Sequence, residues 1–567
     1  MDVNKLVFLR RFGCSLFIAF YMDVSAAEPP FSLPLSPNDQ SAIESVQKEQ
    51  LEQQLLQQEK LKSLTSLPEI EEQQFGDDGT CFAISEIRFQ GASLLSKHHQ
   101  RELTSNIDLS CVGLTHINQL LKDVTQWYLS KGYVTSRAYL SEQDLSSGVL
   151  VITVMEGRIE SVSFRGIDTK FHGWSTPAKS GDILNLRDIE QGLDQLNRLQ
   201  RYQVSIDLKP GSKASESKVY IDVQDLGWLH LRVTLGNSGQ ESTGEEQLAL
   251  GANFDDLIGI SESWKFNFST ALLPDKGAES ENILLGFDVP FGYWTMNYQW
   301  NRSAYQYTFN PFGFDMKSNG NSHNHRWMLH RNFFRDDRSK WGARLSVNHR
   351  RDDNYLQGLL LTSSTRELSS LELSLETSQR FGNLFSSANL AWRQGSSLFG
   401  AETDENKGIG VPKAEFNKAS IQLSLSAVLP SNWTYQSSLF YQYSPDMLYG
   451  TERTSIGGQY SVRGFKGKSI SGDKGGYFRN SVDKRLPLLQ GNSWLSSFSL
   501  GVGLDAGLVA NNASDNFSEG HLVGTSVALK AQGKNQSSQL TVGAPLWAPE
   551  WLKADDWVMY WELAVQI

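Results

Sequence analysis

Two short stretches near the C-terminus contain the residue types best suited to a specific ionic contact. In Ser461–Gly467, Arg463 and Phe465 lie within a long glycine-rich segment. In Gly503–Gly507, a single carboxylate, Asp505, stands among small and apolar residues. An arginine that leaves water needs a partner, and a carboxylate offers it a two-point contact. Asp505 is therefore a candidate partner for Arg463, while an ordinary glycine-rich turn remains the alternative explanation of the first stretch.

Signatures of enzymes and of metal or nucleotide sites are incomplete in this sequence. Gly467-Lys468-Ser469 ends like a phosphate-binding loop, but Val462 stands where the first glycine of that loop is required. Neither the G-x-S-x-G nor the H-E-x-x-H pattern occurs. His98 and His99 are adjacent, a spacing that points the two rings apart. The sequence therefore predicts no enzyme activity, no cofactor and no metal site.

The N-terminal residues indicate an exported protein, and the charge balance does not favour nucleic acid as a partner. Residues 1–27 combine basic residues, a mostly apolar run over 12–21 and the small residues Ser25-Ala26-Ala27, a pattern typical of a secretory signal peptide. The alternative is an anchoring helix, but the apolar run is too short to span a membrane. The net charge of −11 over 567 residues does not favour nucleic acid as a partner.

The cysteines fit this interpretation. After removal of residues 1–27, Cys81 and Cys111 remain of the three cysteines in the chain. An even number of cysteines in an exported protein predicts a disulfide. Two buried thiols are the alternative.

Between the signal and the C-terminal half, the pattern predicts one helix and two small domains. Residues 28–64 form an N-terminal segment whose part from Ser36 is rich in Gln, Glu, Lys and Leu and predicts a helix over 36–64. A solvated helix or half of a coiled coil would look the same. Residues 65–79 indicate a linker. Residues 80–156 and 157–226 each alternate strand and helix, and the first unit includes a strand predicted over Tyr133–Tyr139.

From residue 227 to residue 567 the apolar pattern changes to a period of two. Leu229, Leu231 and Val233 alternate with polar residues, and turn-rich connections separate such runs. This length accommodates roughly sixteen strands of a transmembrane barrel. A soluble array of β-sandwiches is the alternative. The final strand, Trp557–Ile567, has one apolar face and ends with the chain.

The motif Val462-Arg463-Gly464-Phe465, followed by Gly503-x-Asp505-x-Gly507, resembles the outer-membrane transporters of two-partner secretion, the TpsB family, which are related to BamA-like insertases. The resemblance extends over nearly the whole chain. It implies a β-barrel membrane protein of about sixteen antiparallel strands, an N-terminal plug helix and two α+β POTRA domains. It also implies that the loop 449–476 folds into the barrel, where Arg463 pairs with Asp505.

The resemblance also implies a function and a place in the cell. The expected function is secretion, and activation in some members, of a large TpsA exoprotein (an adhesin, haemolysin or contact-dependent toxin), without nucleotide hydrolysis. The barrel would lie in the outer membrane of a Gram-negative bacterium, in contact with lipid, and the POTRA domains in the periplasm. The barrel assembly machinery would recognise the final strand, although Ile567 replaces the aromatic residue that the family usually has there. The alternative functions are a BamA-like assembly factor and a passive porin.

Overall fold

The structure is a computed structural model. It describes residues 36–62, 81–167, 172–274, 277–310, 313–405, 407–408, 410–486, 495–512 and 519–567. The predicted signal peptide, residues 1–27, and the predicted linker, residues 65–79, lie outside these ranges.

The first described element is a long polar helix, α1, which spans Pro37–Lys62 and lies within the predicted range 36–64. The hydroxyl of Ser36 accepts a hydrogen bond of 3.1 Å from the backbone N–H of Asp39, which caps the start of the helix. Among the described residues, no helix is both long enough and apolar enough to cross a membrane.

The first α+β domain follows α1. Its elements are β1 (Cys81–Phe82), β2 (Glu86–Gln90), α2 (Lys97–Thr104), β3 (Val112–Gly113), α3 (Leu114–Ser130), β4 (Arg137–Leu140) and β5 (Val149–Met155). Strand β5 lies in the centre of the sheet, parallel to β2 and antiparallel to β4. Val124 and Tyr128 of α3 pack on Leu150 and Ile152 of β5, and all four are buried.

Two predictions about this domain can be compared with the structure. Cys81 and Cys111 form a disulfide, which confirms the predicted pairing and joins β1 to the residue that precedes β3. The strand predicted over residues 133–139 begins only at Arg137. The backbone N–H of Tyr133 still bonds to the carbonyl of Tyr128 in α3, so the residues that follow the helix form a turn rather than a strand.

The second α+β domain has its own core. Its elements are β6 (Arg158–Arg165), α4 (Leu186–Asn197), β7 (Tyr202–Pro210) and β8 (Glu216–Asp225). The strand order is β6-β8-β7. Ile189 and Leu196 of α4 are fully buried against Val219 and Ile221 of β8.

The C-terminal part is a closed antiparallel barrel. Sixteen long strands of the described residues form its wall, and β16 is a two-residue extension: β9 (Leu229–Gly236), β10 (Gln247–Asp255), β11 (Ser263–Ala271), β12 (Glu279–Phe291), β13 (Trp294–Phe309), β14 (Met316–Arg335), β15 (Ser339–Leu356), β16 (Leu359–Leu360), β17 (Arg366–Phe381), β18 (Leu384–Ser396), β19 (Asn417–Leu429), β20 (Trp433–Tyr443), β23 (Lys474–Leu486), β24 (Ser497–Ala510), β25 (Gly520–Gln532), β26 (Gln536–Trp547) and β27 (Val558–Gln566). Strands β21 (Thr454–Ile456) and β22 (Ile470–Gly472) form a separate two-stranded sheet that is not part of the wall.

The period-two pattern places one face of each barrel strand outward. On β24, Leu500, Val502 and Leu504 are about half exposed on the outer surface, whereas Asp505 is buried on the inner side. The barrel closes where β27 pairs with β9. The predicted fold class, a barrel with a helix and two α+β domains before it, is therefore confirmed.

Candidate functional site: the loop inside the barrel

The connection between β20 and β23 lies inside the barrel rather than beyond its rim. Ile456, Val462, Phe465 and Ile470 are at most 2% exposed. They form one apolar cluster that includes Leu522 of the wall strand β25. A loop in solvent would not bury four large apolar side chains, so this connection is a packed part of the barrel interior.

Arg463 lies directly on Asp505, as the two sequence stretches predicted. Its Nε and Nη2 atoms donate hydrogen bonds of 2.6 Å to the two carboxylate oxygens. Its backbone N–H also bonds to Oδ2, at 3.0 Å. The Asp505 side chain is fully buried, and that of Arg463 is 12% exposed. The carbonyl of Asn480, on neighbouring β23, accepts a further bond of 2.9 Å from Nη2, so the guanidinium has partners on two strands.

Glycine makes this approach possible. A side chain at Gly503 would collide with the guanidinium of Arg463, and one at Gly507 would meet Val462 and Ile456 at 2.9 Å. Gly464 has φ +104°, a conformation that other residues rarely adopt. Each predicted glycine of the two motifs therefore lies where the loop and the wall are in close contact.

Other wall residues that sequence reasoning missed complete the contact. The hydroxyl of Tyr560, on β27, donates to the carbonyl of Phe465 at 2.5 Å. The carbonyl of Arg463 lies so close to Gly524 of β25 that a Cβ atom there would overlap it, and Gly543 of β26 faces Gly464 in the same way. The loop therefore rests on β23 to β27 as a group.

Helix α1 also lies in the lumen, where its described residues make polar contacts with the loop and the wall. The amide of Gln47 donates to the carbonyl of Ser455 in the loop at 2.8 Å. Glu49 is 3.4 Å from Arg326 of β14, and the amide of Gln240 reaches the carbonyl of Pro37 at 3.2 Å. These contacts are polar, in contrast to the apolar cluster around the loop.

A cluster of charged side chains joins the second α+β domain to the barrel where β14 ends and β15 begins. Asp194 of α4 accepts a hydrogen bond of 2.5 Å from Lys340 and another from Arg335. Arg335 also bonds to Glu190 at 3.0 Å. Burial alone raises the pKa of Asp194, but the charges of Lys340 and Arg335 outweigh it, so the pKa lies below its ordinary value.

One geometric expectation was wrong. The rings of His98 and His99 do not point apart on α2, because their centroids are 5.7 Å from each other in an edge-on arrangement. Together with Glu102 they offer three possible ligand atoms within 4.8 Å of one another. These side chains are on the domain surface, and His99 already shares a hydrogen bond of 2.9 Å with Ser96.

Comparison with known proteins assigns the family. The model of the haemolysin secretion/activation family ShlB/FhaC/HecB matches residues 215–531. This chain belongs to that family. Models of the ShlB-type POTRA domain and of the POTRA domain match residues 82–157 and 158–210, so the two α+β domains are POTRA domains.

The chain is similar over almost its full length to proteins named for transport. It is 37% identical over 535 residues to the outer membrane transporter CdiB of Dickeya dadantii, covering 93% of this chain and 94% of that protein. It is 34% identical over 545 residues to CdiB of Escherichia coli, covering 94% and 92%. The solved structure of CdiB from Escherichia coli superposes with a TM-score of 0.89 at 33% identity and covers 94% of this chain and 99% of that one.

These findings decide between the functions that the sequence left open. The chain is an outer-membrane transporter of two-partner secretion, with its barrel in the outer membrane and its POTRA domains in the periplasm. The family assignment favours this function over that of a barrel assembly factor.

Proposed function

We propose that this transporter secretes one large exoprotein of the adhesin, haemolysin or contact-dependent toxin type, and that the Arg463–Asp505 pair holds the loop 449–476 in its working position. The observation that carries this proposal is the three-point contact of Arg463 with a fully buried carboxylate. An ordinary turn needs no such contact. Breaking a buried pair by removing one partner is costly, so the loop keeps this position while a client passes.

Docking of the client is assigned to the POTRA domains. Strands β2 and β4 are the edges of the first sheet, and β6 and β7 those of the second. On β4, Tyr139 and Leu140 are 48% and 38% exposed. An extended client segment can add to such an edge through backbone hydrogen bonds, with apolar side chains beside it. No nucleotide is required in this scheme, because binding of the client and its folding outside the membrane favour transport in the outward direction.

The outer surface of the barrel supports two further partners. Tryptophans such as Trp264, Trp294 and Trp433 are at least 37% exposed, as expected of side chains at a lipid interface. Met559, Leu563 and Val565 of β27 share one exposed apolar face. We assign the first group to contact with outer-membrane lipid and the second to recognition by the barrel assembly machinery.

The docking role is tested by removing only the first POTRA domain, residues 81–156, so that both cysteines of its disulfide are removed together. Its buried core residues form a cluster of their own, while the partly buried Val134 packs on the core of the second domain, and it is the second domain that contacts the barrel. The shortened protein should reach the outer membrane and form channels in planar bilayers, yet secrete none of its partner exoprotein. Secretion at the level of the full chain would contradict docking on this domain.

A further inference from the structure

The loop makes another charged contact near its start, before Arg463 in the chain. Glu452 belongs to a short 3-10 turn, Gly450–Glu452, at the start of the loop. Its carboxylate is 2.7 Å from Lys418 of β19 and 3.3 Å from Arg393 of β18. Arg393 in turn bonds to Glu372 of β17 at 2.5 Å. We infer that Glu452 is a second anchor of the loop and that it positions the turn Gly450–Glu452, against which α1 packs.

The backbone of Glu452 is held as firmly as its side chain. Its carbonyl accepts a hydrogen bond of 2.9 Å from Lys418 and one of 3.0 Å from Gln442 of β20. Strands β17 to β20 therefore hold this turn, whereas β23 to β27 hold the Arg463 region. The two anchors use different parts of the barrel wall.

Burial makes the charges of this cluster interdependent. The four ionic side chains are between 11% and 19% exposed. Two cations face two carboxylates, so loss of either carboxylate leaves one positive charge without compensation. A buried pair that loses one partner is strongly destabilised. Because Glu452 is the member of the cluster that belongs to the loop, its loss acts on the attachment of the loop, whereas loss of Glu372 acts within the wall.

Helix α1, the plug, lies beside this anchor. The helix lies against the turn Gly450–Glu452, and the amide of Gln47 bonds to the carbonyl of Ser455, three residues beyond Glu452. This hydrogen bond between the helix and the loop lies closer along the chain to Glu452 than to Arg463, and Gln47 and Leu51 also line a small cavity with Tyr460. Release of Glu452 should loosen the helix while the Arg463–Asp505 pair stays in place.

The test compares two substitutions that remove the same charge from the same cluster. The inference rests on the plug role of α1 that the family resemblance implies, so channel opening in planar bilayers is the measurement. Glu452→Gln should raise the fraction of time that the full-length channel is open by roughly fivefold or more, the lower end of the usual coupling between two sites. Glu372→Gln should raise that fraction clearly less, because Arg393 and Lys418 both remain in contact with Glu452 when the Glu372 carboxylate is lost. Heat-dependent gel mobility reports whether each barrel is folded.

Two outcomes overturn the inference. One is an open fraction for Glu452→Gln that equals wild type, and the other is an equal rise for both variants, which would assign the effect to the wall. If Glu452→Gln does not fold, Gln47→Leu replaces it, because it breaks the helix contact without changing any charge. It should raise opening in the same way, and an unchanged open fraction would again contradict the inference.

Failure of the plug function itself is distinguishable. Deletion of residues 36–62 should raise opening at least as much as Glu452→Gln. If the deletion changes nothing, the plug function is wrong. If the deletion opens the channel and both point variants do not, the plug function stands and the role of Glu452 is wrong.

Discussion

Two segments occupy the barrel lumen, and the structure attaches them in different ways. The loop 449–476 buries apolar side chains such as Val462 and Phe465 and places Arg463 on a carboxylate with no exposure. The described side chains of helix α1 make polar contacts with the loop and the wall, such as the hydrogen bond of Gln47 and the ion pair of Glu49. A single neutral hydrogen bond contributes little net stability, whereas a buried bidentate ion pair is costly to break. The difference indicates a permanent loop and a removable helix.

The largest expected effect comes from forcing the loop off the wall. Gly524→Ala places a Cβ atom on the carbonyl of Arg463, and backbone on both sides leaves little room to adjust. Overpacking of this kind costs about 1–3 kcal/mol, and we expect secretion per folded barrel to fall about tenfold or more.

Gly286→Ala is the matched control for this substitution. Gly286 also lies on the inner side of a wall strand, but a Cβ atom there meets its nearest neighbour, Lys265, at an ordinary 3.4 Å. It should secrete normally. Equal secretion by both variants would mean that close contact between loop and wall is unnecessary.

The opposite result is expected for the helix. Removal of residues 36–62 should increase single-channel conductance several-fold and leave secretion within about twofold of wild type, because few contacts of the loop or wall depend on α1. The two measurements are bilayer conductance and exoprotein released per folded barrel. Loss of secretion equal to that of Gly524→Ala would remove the distinction between the two segments.

A smaller effect is expected where the second POTRA domain meets the barrel. The pKa of Asp194 is lowered by Lys340 and Arg335, so its carboxylate stabilises this contact fully above the pKa of the free side chain, about 3.9. That stability is lost as the pH falls through the lowered pKa. Protease cleavage near the junction should therefore increase as the pH is lowered from about 4 through the lowered pKa of Asp194.

Asp194→Asn should remove this pH dependence and give increased cleavage already at neutral pH. The control is Asp207→Asn. Asp207 also has a lowered pKa, which results first from its hydrogen bond with Arg165, but it lies on the exposed face of β7. This control should keep the wild-type profile. An identical profile for Asp194→Asn and wild type would show that the contact does not depend on this carboxylate.

The sequence predicted those parts of the site in which a residue is conspicuous in its own surroundings. Arg463 among glycines and Asp505 in an apolar strand are such residues, and the structure places them together. The Gln, Glu, Lys and Leu content of the segment after Ser36 likewise predicted a helix, and the structure has one over Pro37–Lys62.

Other residues gave no local signal, because only the register of the barrel brings them together. Gly524 resembles any strand glycine, and Tyr560 any alternating aromatic. Glu452 meets residues of three different strands, and Asp194 reaches Arg335 across 141 positions of the chain. Their partners could not be named before the strand order and the position of the second domain were known.

The central claim is that Arg463 and Asp505 work as one unit, and a double-mutant cycle tests it most directly. Exoprotein secreted per folded barrel is measured for wild type, Arg463→Ala, Asp505→Ala and the double variant. Secretion by each single variant should fall at least about tenfold, because each leaves a buried charge without its partner. Arg463→Lys should restore little secretion, because lysine lacks the two-point geometry of the guanidinium. The double variant should be no worse than either single one. Losses that multiply in the double variant would contradict the account.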